Sequence, residues 1–596
     1  MTMDDITTRV VIGSQSGSTP SIETQGGDVN ISAVNRYNTR LTVMSGVDDQ
    51  AIAAKQDFLK KRNDLTTDQV KRNTGADGSD LGAAAAVVVR LDSVVSEVTV
   101  GQGATILSNG GDVKVAAQNL NQIDPHGLWL GNLYAPFDKI GQRWNAAEGT
   151  LAKMGVGGEA AWAFLMNLQN TLTSAGGISN SFSNWASATS KSKKLALSGA
   201  FVVQVQNTQT QARVDGRIDT RAGQAPGGSA GALDVVAVNS TQRMTLTGNI
   251  LLPALSIGGG DAIKNAKPRG ETQGRLSYGK DLAKGFLTPK VVGFDYGSSS
   301  KEGSAIGVSV AVTAATHKTS AVLSNSAQVY ADALTVSADN EVVATTLGAS
   351  GGQARTLAAN GVVLVNVIGS RTLAQVQGGV QADIRGAAKI RAEDATWVGT
   401  VAGAAARSES VGVGMSVAIN DIGRSTQALL GDTLIASHNA ASSPRVGSIK
   451  VGSLTLESEN RGFVGNLAVA GSKVANASAA SPNGGDVQDI SLPVTGGAEG
   501  QGGLPGALDP NEEISLSDFL KEISDTTSTL TQDGAAGGGA KQESKAGIGI
   551  SGAVAVNIIN DDTQAYINAA GLEIGATGEV RLDADNHTHV LAASGR

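Results

Sequence analysis

The tightest cluster of residues able to ligate a metal or carry a proton is His587 and His589, with Asp583 and Asp585 just before them. A spacing of two puts both imidazoles on one face of a strand. Two His and two carboxylates beside a turn are nevertheless more simply solvated residues than a metal centre. The other three His, His126, His317 and His438, are scattered. Paired acids at Asp561-Asp562, Asp583-Asp585 and Glu512-Glu513 raise glycoside chemistry, which needs two carboxyls roughly 5–10 Å apart in a cleft. Such clefts add aromatic platforms for sugar rings, and aromatics are only 3% of this chain. Cysteine is absent, which removes disulfides, zinc ribbons and thiol catalysis together. No phosphate loop, nucleophile elbow or HExxH occurs, and GGGDAI (258–263) is a single partial likeness to a calcium-binding nonapeptide. No catalytic residue, metal site or cofactor is expected.

Recognition is the chemistry that remains. Trp129, Trp144, Trp162 and Trp185 all fall between residues 127 and 192, where EAAWAFLMNLQNTL (159–172) has helical composition and spacing. Two accounts fit this segment: an aromatic-bearing projection whose four Trp contact a ligand, or a helical hairpin packing its aromatics against its support. A net charge of -8 gives no general pull toward nucleic acid. The longest apolar run, Ala83 to Val89, is far too short to span a bilayer, so no membrane insertion is expected.

The elements that carry these groups are repeats. GGDVNISAVN (26–35) returns as GGDVKVAAQN (110–119), and the same alternation recurs before Asn239, Asn340, Asp394, Asn460 and Asn586. Each copy places apolar residues at i and i+2, a small residue at i+4 and Asn or Asp at i+6, the period-two signature of a strand with one buried face. The Asn suits a corner, because it tolerates left-handed geometry and bonds its own backbone. A second pattern precedes the first: an apolar strand, then Thr-x-Ala-x-apolar seven residues on. Val203 with Thr210-Ala212-Val214, Val365 with Thr372-Ala374-Val376, and Val556 with Thr563-Ala565-Ile567 are copies. Short apolar stretches such as VVATTLGASG (342–351) follow each marker. The unit thus reads as about four strands in 54 residues, the shortest spacing between markers, from Asn340 to Asp394.

Small and β-branched side chains with few aromatics suit a narrow core stacked along one axis, so the fold is expected to be an all-β parallel β-helix, or β-solenoid. Two to three turns per unit would give roughly 15 to 20 turns and a rod on the order of 70–100 Å long. Helical or irregular insertions at turns absorb the longer gaps between markers. The expected organisation is a first partial unit at 1–49, a basic helical insertion at 50–80, solenoid at 81–126 and the aromatic-rich helical insertion at 127–192. Solenoid resumes at 193–251, followed by a basic loop at 252–300, solenoid at 301–472, an acidic insertion at 473–540 and a last unit at 541–596.

The repeat, clearest in GAVAVNIINDDTQAYI (552–567) and the V-x-L-x-A-D-N run that follows it, resembles filamentous haemagglutinin-like and leukotoxin-like filamentous adhesins of Gram-negative bacteria. That resemblance covers most of residues 80–596 outside the insertions. It implies a right-handed coil, type V secretion through an outer-membrane partner, and folding at the outer cell surface. The chain is then expected to be a piece of a longer exoprotein. Its preferred function is a structural and adhesive rod attaching to a glycan or protein on a host or bacterial surface. A toxin-delivery stalk and a polysaccharide-active β-helix enzyme are the alternatives.

Overall fold

The computed structural model describes residues 1–13, 19–37, 41–45, 80–121, 183–223, 230–249, 298–432, 447–474, 547–569 and 572–595. Among them the chain is a right-handed parallel β-helix of three sheets, with no helix. The first sheet stacks β1 (Thr2–Ile12), β5 (Leu81–Val100), β10 (Leu195–Val214), β14 (Ser304–Leu323), β17 (Leu357–Val376), β20 (Val411–Gly431) and β23 (Ile548–Asn568). The second is narrow: β2 (Ser21–Glu23), β6 (Thr105–Leu107), β11 (Arg217–Asp219), β15 (Gln328–Ala331), β18 (Gln381–Ile384), β21 (Ser448–Val451) and β24 (Glu573–Ala576). The third stacks β3 (Val29–Arg36), β7 (Val113–Asn121), β12 (Ala232–Gly248), β16 (Ala333–Ala354), β19 (Ala387–Ser408), β22 (Ser453–Val474) and β25 (Val580–Gly595). Four short strands, β4 (Leu41–Ser45), β8 (Asn184–Ala188), β9 (Ser190–Ser192) and β13 (Ser298–Ser300), complete its N-terminal part.

Every ladder between equivalent strands is parallel. Leu357 pairs with Val411, so one repeat of 54 residues is one circuit of the coil. This corrects the expectation of two to three turns per unit. The seven rungs span only about 29 Å along the stack at ~4.8 Å each. Strands of up to 22 residues make the section about 70 Å wide. The four short strands expected per unit are in fact two long ones, with a three- or four-residue strand between them.

The Asn markers explain the misreading. Asn35, Asn119, Asn239, Asn340, Asp394, Asn460 and Asn586 do align in one row. They lie inside the third-sheet strands, facing inward, and not at a corner. Asn119 Nδ2 donates to Asn239 Oδ1 at 2.9 Å, Asn239 to Asn340 at 2.7 Å and Asn340 to Asp394 Oδ2 at 2.7 Å. Stacking like on like lets each amide satisfy the next, which removes the cost of burying it. The true corners use other residues: Asn109 at φ 41° and Gly110 at φ 103° turn the chain from β6 into β7.

The first and third sheets face each other, and their interior changes character across its width. Beside the narrow sheet lies a continuous apolar cluster including Val214, Leu323, Ile218, Val329, Leu233 and Leu334. The Asn row and the facing row of Ser96, Thr210, Thr319, Thr372 and Thr426 come next. Ile368, Ile422, Val398 and Val464 form a second apolar cluster. A second amide ladder, Asn366 to Asn420 at 3.0 Å and Asn420 to Asn557 at 2.9 Å, follows. The far edge is lined by Ala196, Ala305, Ala354, Ala358 and Ala406. Small residues recur because two long sheets close on each other over their whole width.

Two long insertions leave from within third-sheet strands, not from turns: Asn121 to Ser183 in the second rung and Asn249 to Ser298 in the third. Residues 184–192, at the end of the expected aromatic insertion, return to the sheet as β8 and β9. The basic helical insertion expected at 50–80, Asp80 excepted, and the helix expected at 159–172 lie outside the described residues.

Candidate binding face

Of the four Trp expected to contact a ligand, Trp129, Trp144 and Trp162 lie outside the described residues. Trp185 sits in β8, on the face opposite Asn184, and is 6% exposed. Of the paired acids, Glu512-Glu513 lie outside the described residues. Asp561 points into the core against Arg424, at 2.8 Å from its Nε, while Asp562 is on the other face of β23. Asp583 and Asp585 are outward, bonded to Arg581 and to His587, whose Nε2 is 2.7 Å from Asp585 Oδ2. Among the described residues no three His, Asp or Glu side chains gather closely enough to hold a metal ion.

The outer face of the third sheet carries a different assembly. Outward positions of β16, β19, β22 and β25 line up in rows, each side chain about 4.8 Å from its equivalent. One row is acidic: Asp339, Glu393, Glu459 and Asp585. Like charges stacked this closely repel, and basic residues from the adjoining rows answer them. Arg391 reaches Asp339 at 3.2 Å and also binds Glu393, which is gripped from its other side by Arg461. Lys389 binds Glu457 at 2.6 Å. Burial, with the Glu393 charge adding to it, holds the Asp339 carboxyl above its ordinary range, and the same two causes raise Glu459.

Next to this network runs a row of rings: Trp397, Phe463 and His589, in register with Val343. Trp397 and Phe463 are half-buried and His589 is exposed. The glycine two residues after Phe463 gives its ring room to lie along the sheet. A Cβ at Gly465 would collide with Phe463 Cε1, so the phenyl ring reaches over that glycine along the sheet. The position beside Trp397, at Gly399, is open. Beyond the glycines Val401 and Leu467, each 41% exposed, extend the apolar strip, and Leu591 continues the glycine row on the last rung. A strip of rings, bordered by planar charged groups that donate and accept hydrogen bonds, suits a ligand with both apolar faces and hydroxyls.

Comparison of the chain with family models, curated proteins and solved structures finds no match. The face is therefore defined by its own geometry. Sequence reasoning missed it by treating aromatics in the rungs as too few to matter. A signal was present: Trp397, Phe463 and His589 each stand three residues after a marker, at Asp394, Asn460 and Asn586, and the first two precede a glycine by two.

Proposed function

We propose that this chain is a rod segment of a large secreted bacterial surface adhesin of the filamentous haemagglutinin-like type, and that it acts by attachment and not by catalysis. The supporting observation is the outer face of the third sheet, where Trp397 and Phe463 lie beside the Arg391–Glu393–Arg461 network on two successive rungs. The partner is a glycan or glycosylated protein on a host or bacterial surface: rings take the apolar faces of sugar rings, and guanidinium and carboxylate groups take the hydroxyls. A cysteine-free repeat suits export as an unfolded chain through an outer-membrane partner.

Binding of the purified chain to a glycan array and to host cells tests this, with two variants beside it. Trp397→Ala/Phe463→Ala is expected to weaken binding at least ~10-fold while leaving the fold intact, as loss of a central aromatic contact does. A variant joining Asn121 to Ser183 removes the second-rung insertion; if it alone loses binding, the insertion is the adhesive part and the face is not. If the folded chain binds no glycan and no cell, attachment by this segment is overturned and a spacer remains.

A further inference from the structure

Strands of the first sheet are apolar on both sides. In Val362-Val363-Leu364-Val365, Val362 and Leu364 are buried while Val363 and Val365 point outward. Parallel strands read as continuous apolar runs of this kind when both faces of their sheet are covered. The register gathers the outward residues of the second to seventh rungs into rows, of which Val87, Phe201, Val310, Val363, Val417 and Val554 form one. Six adjacent rows, from the one starting at Leu81 to the one starting at Leu91, make a continuous face. Among these described residues only Ser304 and Asp421 carry polar side chains.

This face meets water. Val87 is 51% exposed, Val203 38%, Val367 42% and Met415 54%, on four different rungs. The face measures about 33 Å along the strands and about 24 Å along the stack, on the order of 800 Å². The largest apolar patch on an ordinary monomer is ~300–600 Å², whereas each partner in a stable interface of standard size buries about 800 Å². The borders are polar: Asn207, Gln209, Lys318 and Arg371 flank the face toward the narrow sheet, and Lys194 and Lys301 stand at the turns on its other side. An apolar centre within a polar rim is the anatomy of a protein–protein interface.

The chemistry of the face selects the occupant. Foreign proteins are told apart by complementary charge, and the six rows offer almost none. They also hold no Trp or Tyr, the side chains that anchor a surface at a lipid boundary. A second copy of the face meets no repulsion, and the relief interlocks with its own kind. Gly361, where an added Cβ would touch nothing, forms a hollow in one row between Val308 and Met415, which are 37% and 54% exposed. We infer that two copies of this chain dimerise face to face through their first sheets, ~10 Å apart, in an isologous contact centred on Val310 and Val363. The third sheet, with its ring row, then faces outward on both sides of the pair.

Sedimentation velocity of the full chain tests this. The wild type is expected to run as a dimer at micromolar concentration. Val363→Glu/Val365→Glu is expected to keep the β-sheet circular dichroism and weaken the dimer at least ~100-fold, because each carboxylate would be buried without a partner. A wild type that stays monomeric overturns the contact, and if that monomer floats with phosphatidylcholine vesicles, lipid is the occupant instead. A dimer that survives in the folded variant lies on another face and also overturns it. Should the variant not fold, a spin label on Met415→Cys decides, since the chain has no other cysteine. Labels of two copies within about 35 Å, the span of the face, support the contact; a longer distance or no coupling refutes it.

Discussion

At the scale of single residues, stacking lets interior polar groups answer one another along a row, as the side chains from Asn119 to Asp394 do. Asp394 is the one carboxylate in the marker row and is fully buried. It accepts from Asn340 Nδ2, from Ser370 Oγ at 2.6 Å and from Thr396 Oγ1 at 2.6 Å, with Arg424 Nη1 3.8 Å away. Asp394→Ala leaves those donors and part of a buried guanidinium without an acceptor, and a loss of about 3–5 kcal/mol in urea unfolding is expected. Asp394→Asn, which restores the residue found in the other markers, is expected to lose only ~1 kcal/mol. His317 makes a pH-dependent counterpart. Its folded pKa, near 3, lies below that of the unfolded chain, about 6.5. Between these values the unfolded state binds the proton and the folded state does not, so stability falls as pH drops from about 6.5 toward 3. Burial and the Arg243 charge hold the folded imidazole neutral. His317→Gln is expected to flatten this limb of the plot of unfolding free energy against pH by up to a few kcal/mol, leaving the region above pH 7 unchanged in slope.

At the scale of strands, one repeat makes one circuit, and this has a direct test. Ser304 pairs with Leu195 on one side and Leu357 on the other, so deleting residues 304–356 brings β17 against β10 with every row still aligned. That variant is expected to keep its β-sheet circular dichroism and cooperative unfolding. Deleting 304–330 alone, a whole turn if each unit made two, removes β14 and should abolish folding. Much of this element structure was legible in the sequence. The inward Thr210 and Thr372 were aligned by spacing alone, as were all seven markers, because period-two burial leaves an unmistakable pattern. The circuit count was not legible, for a physical reason. Polar residues such as Asn340 and Asn366 in the middle of a 20-residue strand look like its end, since an isolated strand could not bury them. Only the neighbouring rungs make them acceptable. The middle strands were invisible because three residues with one inward side chain, as in Arg217-Ile218-Asp219, carry no period. Among site residues, the Trp cluster drew attention by composition, whereas Trp397 and Phe463 gain meaning only once register places them on one face.

At the scale of the whole molecule, the parts read as one slab with distinct edges. On the proposed reading the third sheet is the working side: it carries the charged network and the ring row outside, and two insertions emerge through its strands. Since equivalent groups recur on successive rungs, a chain-like ligand laid along the stack meets Trp397, Phe463 and His589 in turn, and several weak contacts act together. The single-circuit geometry also sets a steep exchange between chain and reach. Fifty-four residues, about 180 Å of extended backbone, advance the stack by only ~4.8 Å. A structure of this kind is therefore less a mast than a wound spool: under a pull along its axis, each rung that lets go gives up a few ångströms of height and releases roughly forty times as much line, so a bound cell would stay tethered at growing distance as tension rose.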